Sequence, residues 1–169
     1  MRDAREFDAF YVASSRRVLG QLYAMTGDRA EAEDAVAEAY LRAWDRWSTV
    51  RDSANPEAWV RQVAYRTAVS SWRKAVNRLR AHRRDAVASN GDGLSPDHVA
   101  LVHALRQIAP EQRRVIVLHH LVGLSVDEIA AEVEAPAGTV KARLARGRRA
   151  LAVHLMDTEE YAVGASRHG

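Results

Sequence analysis

LSVDEIAAEVEAPAGTVKARLARGRRAL, residues 124–151, is the stretch that decides how this chain folds. Ser125 followed three residues later by Glu128 has the form of a capping box, and Ile129, Ala130 and Val133 then fall on the inward side of a short helix. A turn containing Pro136 interrupts it. From about Gly138 a new helix begins, with Val140, Leu144, Gly147 and Leu151 stepping by four, three and four along one buried face. Two helices across so short a turn predict a helix-turn-helix. Thr139, Lys141, Arg143 and Arg146 lie off the apolar face, so the second helix offers hydrogen-bond donors to base edges and phosphates. Taken alone, the spacing also suits a helical hairpin with no DNA role.

Upstream of this stretch, Ser95 and Pro96 open a helix carrying Leu101, Leu105 and Ile108. Pro110 opens another, with Val115, Ile116, Leu118 and Leu121, and Gly123 closes it. Residues 86–96, AVASNGDGLSP, have no helical periodicity and read as a flexible linker. The expected organisation is therefore a first domain over 1–85, a linker over 86–96, a second domain over 97–156 and a tail over 157–169. The tail lacks an apolar stripe and is expected to fray.

The first domain reads as three helices. Phe7, Phe10, Tyr11, Val18, Leu22 and Met25 recur at helical spacing until Gly27 stops them. Asp28 and Glu31 start a second helix whose Ala32, Ala35, Val36, Ala39, Tyr40 and Ala43 form a stripe of mostly small side chains, running to about Trp47. Its acids Glu31, Glu33, Asp34 and Glu38 precede its bases Arg42 and Arg46, the order that suits the helix dipole. A polar loop is expected from Ser48 to Ser53. Asn55 and Pro56 then cap a third helix expected to reach about Arg84. On it Val69, Trp72, Val76 and Leu79 form a stripe expected to pack. Arg66, Ser70, Arg73, Asn77, Arg80 and Arg84 follow a neighbouring face, four guanidinium groups in line over roughly 27 Å at about 1.5 Å per residue. Among Trp44, Trp47, Trp59 and Trp72, most are expected in the core, although an indole beside a basic face can stack an unpaired base.

The 169 residues are 47% apolar and 28% charged, ordinary values for globular protein, and few runs are β-branched or aromatic enough for strands. The fold class is all-α: two small helical domains on a flexible linker, the second containing the helix-turn-helix. The formal charge of +3 conceals a strong polarisation. Residues 61–84 hold eight Lys or Arg, and residues 135–156 hold five, with no acid in either window. Those 13 of 25 bases leave 12 against 22 acids elsewhere. Two such windows suit two contacts with a polyanion, since clustered cations displace the counterions condensed on phosphates.

Other chemistry is poorly provided for. No apolar run approaches the length of a membrane span, and the N-terminus lacks a signal-peptide pattern, so residence in the cytoplasm without membrane insertion is expected. The absence of cysteine removes disulfides, thiolate metal sites and cysteine nucleophiles. The adjacent His119 and His120 are expected to diverge on their helix, and no metal or cofactor site is proposed. There is no phosphate loop, dinucleotide fingerprint or nucleophile elbow, so an enzyme is not expected.

Three segments in this order resemble the extracytoplasmic-function, or group four, sigma factors of bacterial RNA polymerase, with details closest to actinobacterial members. TGDRAEAEDAVAEAYLRAWDRW, residues 26–47, is similar to the family's core-binding segment. NPEAWVRQVAYRTAVSSWRK, residues 55–74, is similar to its promoter-opening and minus-ten segments. ALRQIAPEQRRVIVLHHLVGLSVDEIAAEVEAPAGTVKARLARGRRAL, residues 104–151, is similar to its minus-thirty-five-binding domain. The resemblance implies a transcription initiation factor whose partners are core RNA polymerase, through its clamp helices and flap, promoter DNA and an anti-sigma factor. It implies polymerase docking by Asp34, Glu38, Leu41, Arg42 and Trp44. Minus-ten contacts are implied for Arg51, Asp52 and Asn55 in the specificity loop and for Arg66, Ser70, Arg73, Lys74 and Arg80. Minus-thirty-five contacts are implied for Thr139, Lys141, Arg143 and Arg146. The chain departs from the family pattern at Arg66, where Asn is common, and at Ser70, where Asp is common. Glu134 and Ala135 stand where the helix-turn-helix usually has Gly and a larger aliphatic residue. A stand-alone helix-turn-helix regulator would leave the first half unexplained, and a helical adaptor or anti-sigma-like interaction protein would leave both basic windows idle.

Overall fold

The computed structural model describes residues 2–79 and 95–165, and the chain divides into two compact units at Gly93 and Leu94. Among the described residues every regular element is helical.

In the first unit, α1 (Arg2–Thr26) stops at Gly27, whose φ of 77° places it in the left-handed region that glycine enters without penalty. Asp28 then caps α2 (Arg29–Asp45) by accepting from the Glu31 amide at 2.9 Å. The second helix ends two residues before Trp47, and the expected polar loop contains a short helix, α3 (Trp47–Arg51). The reason is the three-residue spacing of Trp47 and Val50: one helical turn buries both. Ser53 closes this turn by donating to the Val50 carbonyl at 2.6 Å. Asn55 Oδ1 accepts from the Ala58 amide at 3.0 Å, starting α4 (Pro56–Leu79).

The alanines of α2 let α4 approach closely, and the core lies between them and α1 around Val18, Leu22, Ala39, Tyr40, Val60 and Ala64. Phe10 and Trp47 stack at 5.2 Å at one end of it. Ser14 and the Tyr40 hydroxyl share a 2.7 Å hydrogen bond, and burial pushes the phenol up to about 12. The expected packing stripe of α4 needs correction. Its buried row is Val60, Ala64 and Ala68, whereas Val69 and Val76 are half-buried and Trp72 is 59% exposed. Trp72 continues the 60, 64, 68 row one turn past the last buried position, where the helix has outrun its packing partners. Arg80, Arg84 and the linker residues 86–94 lie outside the described residues.

In the second unit, Ser95 caps α5 (Pro96–Arg106), so the last residue of the expected linker, Pro96, is the first of the helix. Then follow α6 (Pro110–His120), α7 (Val126–Val133) and α8 (Ala137–Ala165) around a core of Val102, Leu105, Val115, Leu118, Ile129 and Val140. The capping box forms in full: Glu128 N donates to Ser125 Oγ at 3.2 Å and Ser125 N to Glu128 Oε2 at 2.7 Å. Those bonds hold the Glu128 carboxyl below its usual range. Ile129 is buried as expected, but Ala130 and Val133 are only half-buried and Glu132 is buried in their stead. Between α7 and α8 the turn passes through Glu134 at φ 55° and ψ 47°, a left-handed conformation adopted here without glycine. The last helix also runs to Ala165, well into the expected frayed tail, because no proline or glycine interrupts residues 148–163 and the first stop-type residue is Gly164.

Candidate nucleic-acid interface and docking surface

The helix-turn-helix places α8 so that Val140 and Leu144 are buried while Lys141 and Arg146 are exposed and Thr139 is half-buried. Arg143 is 25% exposed, and its Nη2 lies 3.2 Å from Glu111 Oε2 on α6. Glu111, Gln112, Thr139, Ala142, Arg143 and Arg146 line an open cavity of about 460 Å³. Three of the four residues expected at the upstream element therefore share one concavity, and Lys141 stands outside its lining. Sequence reasoning missed Glu111. Its position just after Pro110 marks it as an ordinary first-turn acid, and nothing local signals an arginine 32 residues away. The loop before α7 is fixed by His119 Nδ1 against the Leu124 carbonyl at 2.8 Å. His119 and His120 do not diverge as expected: their rings meet edge to face at 4.8 Å, and Arg148 donates to His120 Nε2. Burial holds the His120 imidazole below its usual value. Among the described residues, no three His, Asp or Glu side chains converge on a metal-sized site.

On α4, Arg66, Ser70, Arg73 and Lys74 are all exposed, and Trp72 stands out beside them. No acid lies in this stretch, so the exposed arm of the helix is uniformly positive. Its root is anchored by a buried arginine that the periodicity did not single out: Arg61 donates to Gln21 Oε1 at 3.4 Å. Nearby, Arg17 grips Glu57 through two bonds of 2.8 and 2.6 Å, and this holds the Glu57 carboxyl below its usual range. Between α3 and α4, Asp52 and Asn55 are exposed, and Asn55 is spent on the cap. Arg51 is committed elsewhere: its guanidinium meets Asp3 at 2.6 Å, Glu6 at 3.5 Å and Asp52 at 3.6 Å.

The outer face of α2 has a different character. Asp34 is exposed, and Glu38 pairs with Arg42 at 2.8 Å along the helix. Beside them Leu41 is 63% and Trp44 45% exposed. Phe7 from α1 holds the Trp44 ring edge-on at 5.1 Å, and Tyr11, also exposed, lies edge-on to Tyr40 at 4.9 Å. Large apolar side chains fixed in place at a charged surface are the usual anchors of a protein interface. All five residues expected to dock on a protein therefore lie on one helix, and the two apolar ones stay outside the core.

Comparison with known proteins finds two family regions along the chain. Residues 10–78 match the family described as Sigma-70 region 2, and residues 98–151 match Sigma-70, region 4. The chain is 29% identical over 155 residues to the RNA polymerase sigma-E factor of Streptomyces coelicolor, covering 86% of this chain and 84% of that one. It is 33% identical over 146 residues to the ECF RNA polymerase sigma factor SigL of Mycobacterium tuberculosis, covering 79% of each. The sigma factor RpoE, solved in complex with the anti-sigma factor NepR from Bartonella quintana, shares the fold. Its TM-score is 0.78 at 22% identity, over 90% of this chain and 98% of that one. With both sigma regions present in order around the unit boundary, the chain belongs to the extracytoplasmic-function family of sigma factors, which direct RNA polymerase to specific promoters.

Proposed function

We propose that the two units divide the work of initiation. The first, over residues 1–85, docks on the polymerase and opens the minus-ten region. The second, over 97–156, docks on the flap and holds the minus-thirty-five element, while residues 86–96 link them past the RNA-exit path. Asp34, Glu38, Leu41, Arg42 and Trp44 meet the clamp helices of the polymerase. Arg51, Asp52 and Asn55 belong to the loop that captures a flipped base, and Arg66, Ser70, Arg73, Lys74 and Arg80 follow the opening strands and their phosphates. Thr139, Lys141, Arg143 and Arg146 enter the major groove upstream. The chain performs no catalysis of its own, acts in the cytoplasm and is restrained by an anti-sigma factor, the class of partner with which RpoE of Bartonella quintana was solved.

One observation supports this reading above the rest. Leu41 and Trp44 are left exposed on α2 although the same helix buries six residues, Ala32, Ala35, Val36, Ala39, Tyr40 and Ala43. Exposing them is unfavourable by about 25 cal/mol for each Å² of apolar area unless a partner covers it. For Arg51 to touch DNA it must exchange Asp3 and Glu6 for phosphate, a small cost for a pair at the surface. The test is to replace Leu41 and Trp44 together by Ser and measure capture of core polymerase by the folded protein. The proposal expects capture to fall at least tenfold with DNA contacts intact, and undiminished capture would refute it.

A further inference from the structure

A carboxylate beside a recognition helix is out of place in a surface meant for phosphates. Glu111 is 73% exposed on α6, yet its Oε2 is directed at Arg143 Nη2 across the rim of the cavity that Thr139, Ala142 and Arg146 also line. Arginine is flexible along its stem, always charged and able to reach either a base edge or the nearest phosphate. Lys141 and Arg146 are exposed neighbours on the same helix. Among the described residues, Arg143 is the one of the four expected contact residues with an ion pair to another helix. One such pair occupies one nitrogen of the fork and leaves the other donors available.

We propose that Glu111 is a positioning residue for promoter selectivity: it holds the Arg143 fork at the cavity rim, aimed at a base pair and away from the phosphates. This rests on the reading of α8 as the recognition helix. The carboxylate restricts the swing of the guanidinium, so the bidentate geometry that distinguishes guanine is set before DNA arrives. It also repels the backbone, so Glu111 lowers affinity for DNA in general while raising discrimination. A residue that merely stabilised the fold would raise both.

The opposite signs make the test. Holoenzyme carrying Glu111→Ala, Glu111→Gln, Arg143→Ala or Glu111→Ala with Arg143→Ala is measured on a library randomised over the upstream element, at several salt concentrations. Thermal melts establish that each variant is folded. Glu111→Ala is expected to reduce the preference at the base pairs that Arg143→Ala affects, by about fivefold or more. It should also tighten binding to unrelated DNA and steepen the salt dependence by about one unit of slope as Arg143 moves to a phosphate. Glu111→Gln should fall between Ala and the parent, and the double variant should match Arg143→Ala alone in its preferences. If Arg143→Ala changes the profile and Glu111→Ala does not, the positioning role is wrong and the recognition helix stands. If Arg143→Ala changes no base preference, the base-reading role of Arg143 fails and the inference fails with it. Uniformly weaker binding by folded Glu111→Ala, with a flatter salt slope, would also overturn the proposal.

Discussion

Replacing Gly147 by Val should destabilise the second unit selectively. A Cβ at Gly147 would lie 3.0 Å from Ile116 Cγ1 and 3.2 Å from Gln112 Cβ, closer than side chains pack without something moving. Ile116 is buried, and its branched side chain is stiff at χ1, so it gives little. For Ala the penalty is partly offset: filling a helix interior glycine recovers about 1 kcal/mol of helix propensity, against about 1 to 3 kcal/mol for overpacking. Gly147→Ala should therefore cost about 0 to 2 kcal/mol. Val adds two methyl groups at the same contact and recovers less propensity, so about 3 kcal/mol is expected. The sequence supplies a convenient assay, since Trp44, Trp47, Trp59 and Trp72 all belong to the first unit. In urea, tryptophan emission follows that unit, while far-ultraviolet circular dichroism follows both. Gly147→Val should move part of the dichroism transition to lower urea and leave the emission midpoint in place. A dichroism profile identical to the parent's would refute the close approach of α6 and α8. A shift confined to the emission would refute the assignment of Gly147 to the second unit's core.

Four further outcomes are expected. Reversing the charges of Asp34 and Glu38 together should weaken capture of core polymerase while the melting temperature changes little. Glu38 is paired with Arg42 on the surface of the same helix, and exposed pairs contribute under about 1 kcal/mol; normal capture in a pull-down would contradict the docking role. Ser125→Ala should destabilise the second unit by about 1 kcal/mol through loss of the cap, read as a lower dichroism midpoint. Because the folded Glu128 carboxyl is held below its usual value, its contribution is present above the unfolded carboxylate pKa and disappears as pH falls through the folded one. Glu128→Gln should flatten that part of the acid melting profile, and an unchanged profile would remove Glu128 as its source. Trp72→Ala should cost no more than about 0.5 kcal/mol in urea melts, as its ring is mostly exposed, and a larger loss would place it in a core.

What could be read from the residues depended on how local the signal was. Caps are local: Gly27, Asp28, Asn55, Ser95, Ser125 and Gly123 each mark a boundary through a bond or dihedral spanning a few residues. The helix-turn-helix was legible for the same reason, but the left-handed conformation of Glu134 was not, because a glutamate in place of glycine carries no signal for it. The α3 turn was not, because Ser48, Thr49 and Arg51 are loop-like and only burial of Trp47 and Val50 makes them helical. Trp72 was misread because periodicity gives a face but not the length over which a partner covers it. The Glu111–Arg143 pair and the tie of Arg51 to Asp3 join residues far apart in sequence, and charges that distant carry no spacing signal. Leu41 and Trp44 are a different case: only the family resemblance singled them out, and the structure leaves both exposed beside the alanine stripe of α2.

As a sigma factor, this chain confers promoter selectivity on a core polymerase that lacks it. Runoff transcription with purified core RNA polymerase, on a linear library carrying randomised upstream and minus-ten elements, measures this directly. Transcripts are expected from a narrow set of templates only when core and chain are both present, with loss of that set for Leu41→Ser combined with Trp44→Ser. Selective DNA binding by the chain alone, with no transcript on adding core polymerase, would contradict it.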